Sequence, residues 1–233
     1  MPPGSCVSSL TAMCRRGETR IIRFIILALF FVILAGGIYV TVGKEFKSAL
    51  SLKMRMAIEQ GIPVGDYSQK DSPPQEGELK RSEADLPNLG SCYGRILCEK
   101  IGLSAPLYYG DSDAILEKGT GQYIGSGLPG EGRPILVGAH DIGYFEPLKD
   151  IEQGDQIELT TSYGVFQYQV TDITVGEASS IGKKELRHPY EELILYTCYP
   201  FGGFLEEKSQ RYFVAAEKIS GPILKEDSNE GQQ

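Results

Sequence analysis

Between Cys92 and Ile219 the chain is cut into short β-type runs: Tyr93–Cys98, Pro106–Tyr109, Ile135–Ala139, Gln156–Thr160, Val165–Val175, Leu193–Cys198 and Arg211–Ile219. Gly, Pro and Asp punctuate the gaps between them, and these residues supply turns rather than long crossovers. Val165–Val170 (VFQYQV) alternates apolar and polar side chains almost throughout, as a half-buried strand must. Only Ala114–Lys118 and Lys183–Leu186 read as helical, and both are short. Seven or eight short strands with so little helix predict an all-β fold, a closed or nearly closed barrel over residues 91–222.

The segments outside that region have other textures. Phe24–Val42 is nineteen residues without a charge and without a polar face, long enough to cross the hydrocarbon core as a helix. Arg15, Arg16, Arg20 and Arg23 precede it, while Lys44, Glu45 and Lys47 follow with mixed sign, so the positive-inside bias puts residues 1–20 in the cytoplasm. Residues 21–43 are thus expected to be a single-pass membrane anchor, with everything after them outside the cell. A cleaved signal peptide is the rival reading, given the small residues Ala35-Gly36-Gly37, but the apolar stretch is longer than a signal core. Lys44–Gln60 contains neither Gly nor Pro and reads as a helical stalk. Residues 61–90 are rich in Pro, Gly and charge and read as a flexible linker, and residues 223–233 as a disordered polar tail.

The whole chain carries a formal charge of −8; with the four Arg and one Glu of the first 43 residues set aside, the rest carries −11. A nucleic-acid partner is disfavoured by that sign. Outside the anchor lie three cysteines. Cys92 and Cys98 would stand about 20 Å apart on one extended strand at roughly 3.3 Å per residue, too far for a disulfide unless the chain turns at Gly94. No C-x-x-C pair occurs, and His140 and His188 are not at helical i, i+4 spacing, so neither metal nor cofactor is expected. Glu177, Glu185, Glu191 and Glu192 flank one loop and read as solvated charge.

Cys198 then stands out. It closes the apolar run Leu193–Tyr196, where a buried strand holds a thiol rigidly while its exit can face solvent. Arg211 opens the next run, and His140 follows the run Ile135–Ala139. A thiol, an imidazole and a permanent cation are the parts of a cysteine acyl-transfer site, although a free cysteine is more commonly a buried structural residue. His188, in the polar stretch Leu186–Pro189, is the competing histidine and reads as a surface loop residue. Asp141 is left unassigned, because adjacent side chains on an extended backbone point opposite ways.

These residues resemble the sortases, membrane-anchored cysteine transpeptidases of Gram-positive cell surfaces. The family's Thr-Leu-x-Thr-Cys motif is matched by Ile194-Leu195-Tyr196-Thr197-Cys198, with Ile in place of the first Thr. Its Gly-His pair is matched by Ala139-His140, one small residue for another, and its strand-opening Arg by Arg211. Gly119-Thr120-Gly121, Ser126–Glu131, Phe145–Leu148, Gly154–Ile157 and Thr161–Gly164 add matching phrases in the same order, so that the resemblance covers about Tyr93 to Ile219. The linker has no Asp-Pro-aromatic lid motif of class C, and residues 176–192 leave too little room for the long class B helix. Thr197-Cys198-Tyr199-Pro200-Phe201 and the short final loops look most like class D.

The resemblance implies an eight-stranded barrel and an enzyme that cleaves an LPxTG-type sorting signal between Thr and Gly and passes the surface protein to a cell-wall amine. Cys198 would be the nucleophile and thioester carrier, His140 the general acid and base, and Arg211 the oxyanion or substrate stabiliser. Thr197 would either lend its hydroxyl to substrate or steer the backbone beside the cysteine. An imidazolium and a guanidinium nearby would favour the thiolate. Two other functions stay open on the residues alone: an anchored cysteine hydrolase of the same geometry, and a barrel that binds without chemistry.

Overall fold

The computed structural model describes residues 23, 25–37, 39, 76–180, 186, 189–202 and 208–227. The chain divides into two compact units, Met1–Ser48 and Ala49–Gln233. In the first, residues 25–37 are helical. Among the described residues no helix is long and apolar enough to cross a membrane. The expected stalk 44–60, linker residues 61–75, His188 and all but Leu186 of the expected helix Lys183–Leu186 lie outside the described residues.

The second unit is a closed barrel. Its strands are β2 (Cys92–Cys98), β3 (Leu103–Tyr109), β4 (Thr120–Gln122), β5 (Ile135–Gly138), β6 (Gln156–Thr161), β7 (Val165–Glu177), β8 (Glu192–Tyr199) and β9 (Gln210–Ser220), closed in the order β2-β3-β4-β5-β8-β9-β7-β6. Closure leaves no open sheet edge among these strands. Two neighbouring pairs run parallel, β3 with β4 and β5 with β8, and the others antiparallel. One short helix, α1 (Asp113–Leu116), sits between β3 and β4, and 3-10 turns occupy Glu99–Ile101, Glu146–Asp150 and Ala178–Ser180.

Seven of the eight barrel strands coincide with the runs read from sequence. The eighth, β4, is three residues long and lay unseen in a Gly-rich stretch. A Cβ on Gly121 would come within 2.6 Å of the Gly110 carbonyl oxygen, so this strand's apolar pattern gives way to close backbone approach. The outer boundaries also differ from expectation. Residues 78–80 were assigned to a flexible linker and 223–225 to a disordered tail, yet β1 (Glu78–Lys80) pairs in parallel with β10 (Ile223–Lys225). Each strand alone has too few apolar residues to order itself, and a partner 145 positions away in sequence supplies the backbone bonds; the Ser82 hydroxyl adds a side-chain tie, donating to Asp227 Oδ1 over 2.7 Å.

Period-two alternation assigns every side chain on the three central strands to an inner or an outer face. Ile135, Val137 and Ala139 of β5 and its exit, Leu193 and Leu195 of β8, and Val214 and Ala216 of β9 join Phe145, Phe166 and Tyr168 in the barrel core. Leu136, Ile194 and Phe213 face outward and form a second buried cluster under Leu186 and Tyr196. The run Leu193–Tyr196 is therefore apolar at every position because it is covered on both faces. A cavity left by Leu195→Ala, at 0% exposure, would cost about 2–5 kcal/mol.

Candidate active site

The outward face of β5, β8 and β9 carries the three residues singled out from sequence. Cys198 lies directly opposite Arg211 in the antiparallel β8–β9 ladder. Directly opposed residues put their side chains on the same face with Cβ atoms about 4.5–5.5 Å apart. The parallel β5–β8 ladder pairs Gly138 with Tyr196, and beyond it the Ala139 N–H donates to the Tyr196 carbonyl over 3.3 Å. His140 follows Ala139 in the segment that leaves β5, and Cys198 follows Thr197 near the end of β8. His140 is exposed, while Cys198 and Arg211 are half-buried.

Thr197 is buried, and its hydroxyl donates to the Ala139 carbonyl over 2.8 Å. That bond ties β8, next to Cys198, to the exit of β5 that leads to His140. Gly138 serves the same closeness. A Cβ there would stand 2.5 Å from the Tyr196 ring, so the ring lies across the β5 backbone on the outer face. Tyr196 packs in turn on Phe213, with centroids 6.2 Å apart. These rings floor the surface that leads to Cys198.

Arg211 Nη1 donates to the carbonyls of Lys208 over 2.7 Å and Gln210 over 2.9 Å. Two backbone anchors fix the plane of a guanidinium that carries five N–H donors. Burial pushes the Cys198 thiol above its ordinary range; the Arg211 charge pulls it down, Asp141 pushes it up and Lys208 pulls it down, with burial prevailing. The Arg211 guanidinium thus favours the thiolate, as expected of a nearby cation, while desolvation of the sulfur opposes it and is the larger influence.

Beyond Cys198 the chain passes through a cis Tyr199-Pro200 bond into an aromatic group, with Tyr199 stacked on Tyr212 at 6.2 Å and Phe201 edge-on to Tyr212 at 5.0 Å. Cys92 and Cys98 close the two ends of β2 and are not joined by a disulfide, Cys98 lying within the core. Among the described residues no group of three or more His, Cys, Asp or Glu is placed to hold a metal ion. Glu191 and Glu192, read from sequence as solvated, are corrected to buried: Glu191 accepts from the Gly130 and Gly132 amides, the Tyr168 hydroxyl and Lys218. Glu177 is exposed and Glu185 lies outside the described residues.

A family model described as the sortase domain matches residues 96–219, which takes in the whole of this surface. The chain belongs to the sortase family. It is 31% identical over 143 residues to sortase D of Bacillus subtilis, an alignment covering 61% of this chain and 72% of that protein. A Clostridium perfringens sortase D5 transpeptidase shares the fold with a TM-score of 0.53 at 22% identity, covering 75% of this chain and 98% of the other. Sortase A from Corynebacterium diphtheriae is 26% identical with a TM-score of 0.49, and the alignment covers 60% of this chain and 64% of that one. The likeness to class D read from the final loops is thus met by relatives of that class. The sortase barrel here also contains two residues that sequence reasoning passed over, Lys208 and the unassigned Asp141. No spacing rule marks either, since their meeting depends on two loops converging.

Proposed function

We propose that this sortase is a membrane-anchored cysteine transpeptidase that cuts an LPxTG-type sorting signal between Thr and Gly and transfers the surface protein to a cell-wall amine. The observation that carries this reading is the ladder pairing of Cys198 with Arg211, on a strand whose neighbour β5 leads two residues on to His140. The Cys198 thiolate attacks the threonine carbonyl carbon, and the developing oxyanion meets the Arg211 guanidinium. As the C–N bond breaks, His140 donates a proton to the departing glycine nitrogen, leaving a thioester on Sγ. In the second half an amine attacks the thioester, His140 takes the amine's proton, and the thiolate leaves.

The raised thiol pKa sets the pH behaviour of this scheme. Burial holds the Cys198 thiol above its ordinary range, so the rate of acylation rises with pH as Sγ ionises. An anchor at residues 21–43 would hold the barrel at the outer cell surface, where sorting signals and wall amines meet. Incubation with a Leu-Pro-x-Thr-Gly peptide and an oligoglycine or diaminopimelate-type amine tests the reading. A ligated product is expected; cleavage without ligation would make the protein a hydrolase, and an untouched peptide would refute the substrate class.

A further inference from the structure

Asp141 follows His140 directly, yet it is buried and joined to two places along a different loop. Its Oδ2 accepts from the Gly202 amide over 3.0 Å, four residues after Cys198, and is ion-paired with Lys208 Nζ, three residues before Arg211. The carbonyl of that same Lys208 receives the Arg211 Nη1 donor. One carboxylate therefore fastens the segment bearing His140 to both the outgoing and the returning arm of the connection between β8 and β9, and through Lys208 to Arg211. None of the four residues belongs to either hydrophobic cluster.

We propose that Asp141 and Lys208 form a positioning pair that sets the mutual placement of His140, Cys198 and Arg211 for the transpeptidation reaction described above. A buried ion pair contributes little net stability, because desolvation of two charges cancels most of their attraction. Mutual placement within a few tenths of an ångström, by contrast, governs how often reacting groups meet in line. The pair has the right connections for that purpose, since every bond it makes ends on a segment adjoining a proposed site residue. Its charges also act on the thiol from two loops, together with Arg211 on β9, and the phenol of Tyr196 lies on the same strand as the thiol.

The inference rests on the proposed activity, and its test is built to separate the two. Asp141→Asn and Lys208→Met are compared with the parent in kcat and KM for the sorting peptide. In parallel, the pH dependence of iodoacetamide alkylation at Cys198 is read by peptide mass spectrometry without any substrate. Misplacement should lower kcat about tenfold or more with KM within about twofold. The alkylation inflection should move down in Asp141→Asn and up in Lys208→Met, because the two charges act on the thiol with opposite sign.

Asp141→Asn is the decisive member. It enlarges the thiolate fraction, so a purely electrostatic role would make the enzyme faster, and a slower enzyme with a more acidic thiol marks lost placement. Lys208→Arg, which keeps the charge, should retain most of the parent's kcat. If either single variant fails to fold, the double neutral variant Asp141→Asn/Lys208→Gln, whose amides can still hydrogen-bond, takes its place. Parent-like kcat in a folded Asp141→Asn, Lys208→Met or double neutral variant, or inflections that do not move in the two single variants, overturns the positioning pair. A parent that leaves the peptide intact while the two inflections still separate refutes the activity and keeps the pair.

Discussion

The two ends of strands β5 and β8 use polar groups in opposite ways. At the starting end, Glu191 fills its two carboxylate oxygens with donors from Gly130, Gly132, Tyr168 and Lys218. Beside it Glu131 holds Arg81, Arg133 and the Leu128 amide, and the β10 segment is fastened there by the Leu224 amide donating to the Gly130 carbonyl over 2.8 Å. At the finishing end Cys198 and Arg211 are half-buried, His140 is exposed, and the thiol sits where burial disfavours its charged form. Charge is matched within the protein at one end and left to meet substrate at the other. The first arrangement favours stability, and the second fits the proposed chemistry.

That contrast is broken or sharpened by four changes. Cys198→Ala should abolish peptide cleavage, at least about 10³-fold, while the melting temperature stays within about 2 °C, because a half-buried sulfur contributes little packing. Steady-state assay and a thermal melt on the same sample check both halves. Arg211→Met should lower kcat about 10²-fold through loss of a positioned donor and raise the pH at which Cys198 is alkylated, since the Arg211 charge is the strongest influence lowering that thiol.

Glu191→Leu should do the reverse: kcat at 25 °C unchanged, but stability lower by about 1–3 kcal/mol in a urea titration, because two amides and the buried Tyr168 hydroxyl lose their acceptor. A drop in kcat without loss of stability would erase the division between the ends. The smallest effect belongs to acid. Burial alone would push the Glu131 carboxyl up, but its hydrogen bonds with Arg133, Arg81 and the Leu128 amide hold it below the usual carboxylate range. A depressed pKa gives stability that is full above the unfolded value of about 4.3 and is lost as pH falls through the folded one. Urea midpoints from pH 6 to pH 3 should therefore fall less steeply in Glu131→Gln than in the parent.

The catalytic end was the more legible of the two in sequence. Cys198, His140 and Arg211 each adjoin an apolar run, and the runs announce the strands whose ladders bring them level. The barrel was legible for the same reason: seven of its strands carry a period-two or continuous apolar pattern long enough to read. The starting end was not, because its ties run from Arg81 to Glu131 and from Gly130 to Glu191, between loops and strand entrances with no periodicity. Glu191 looked like loop charge because composition does not reveal that three uncharged donors and a lysine converge on it. Asp141 was set aside on the premise of an extended backbone, whereas it lies in a turn past β5, and its partner Lys208 lies on a loop that only the fold brings near. Residues 78–80 and 223–225 read as linker and tail since neither has a core of its own; each orders the other.

Trapping the acyl-enzyme decides most directly between a reactive thiol and a structural one. The protein is mixed with a Leu-Pro-x-Thr-Gly peptide in the absence of amine, quenched in acid and digested for mass spectrometry. A thioester adduct of the peptide up to its threonine should appear on the Cys198 fragment, be released by hydroxylamine and be missing from Cys198→Ala. An adduct on Cys92 or Cys98, or peptide cleavage that survives in Cys198→Ala, would contradict it.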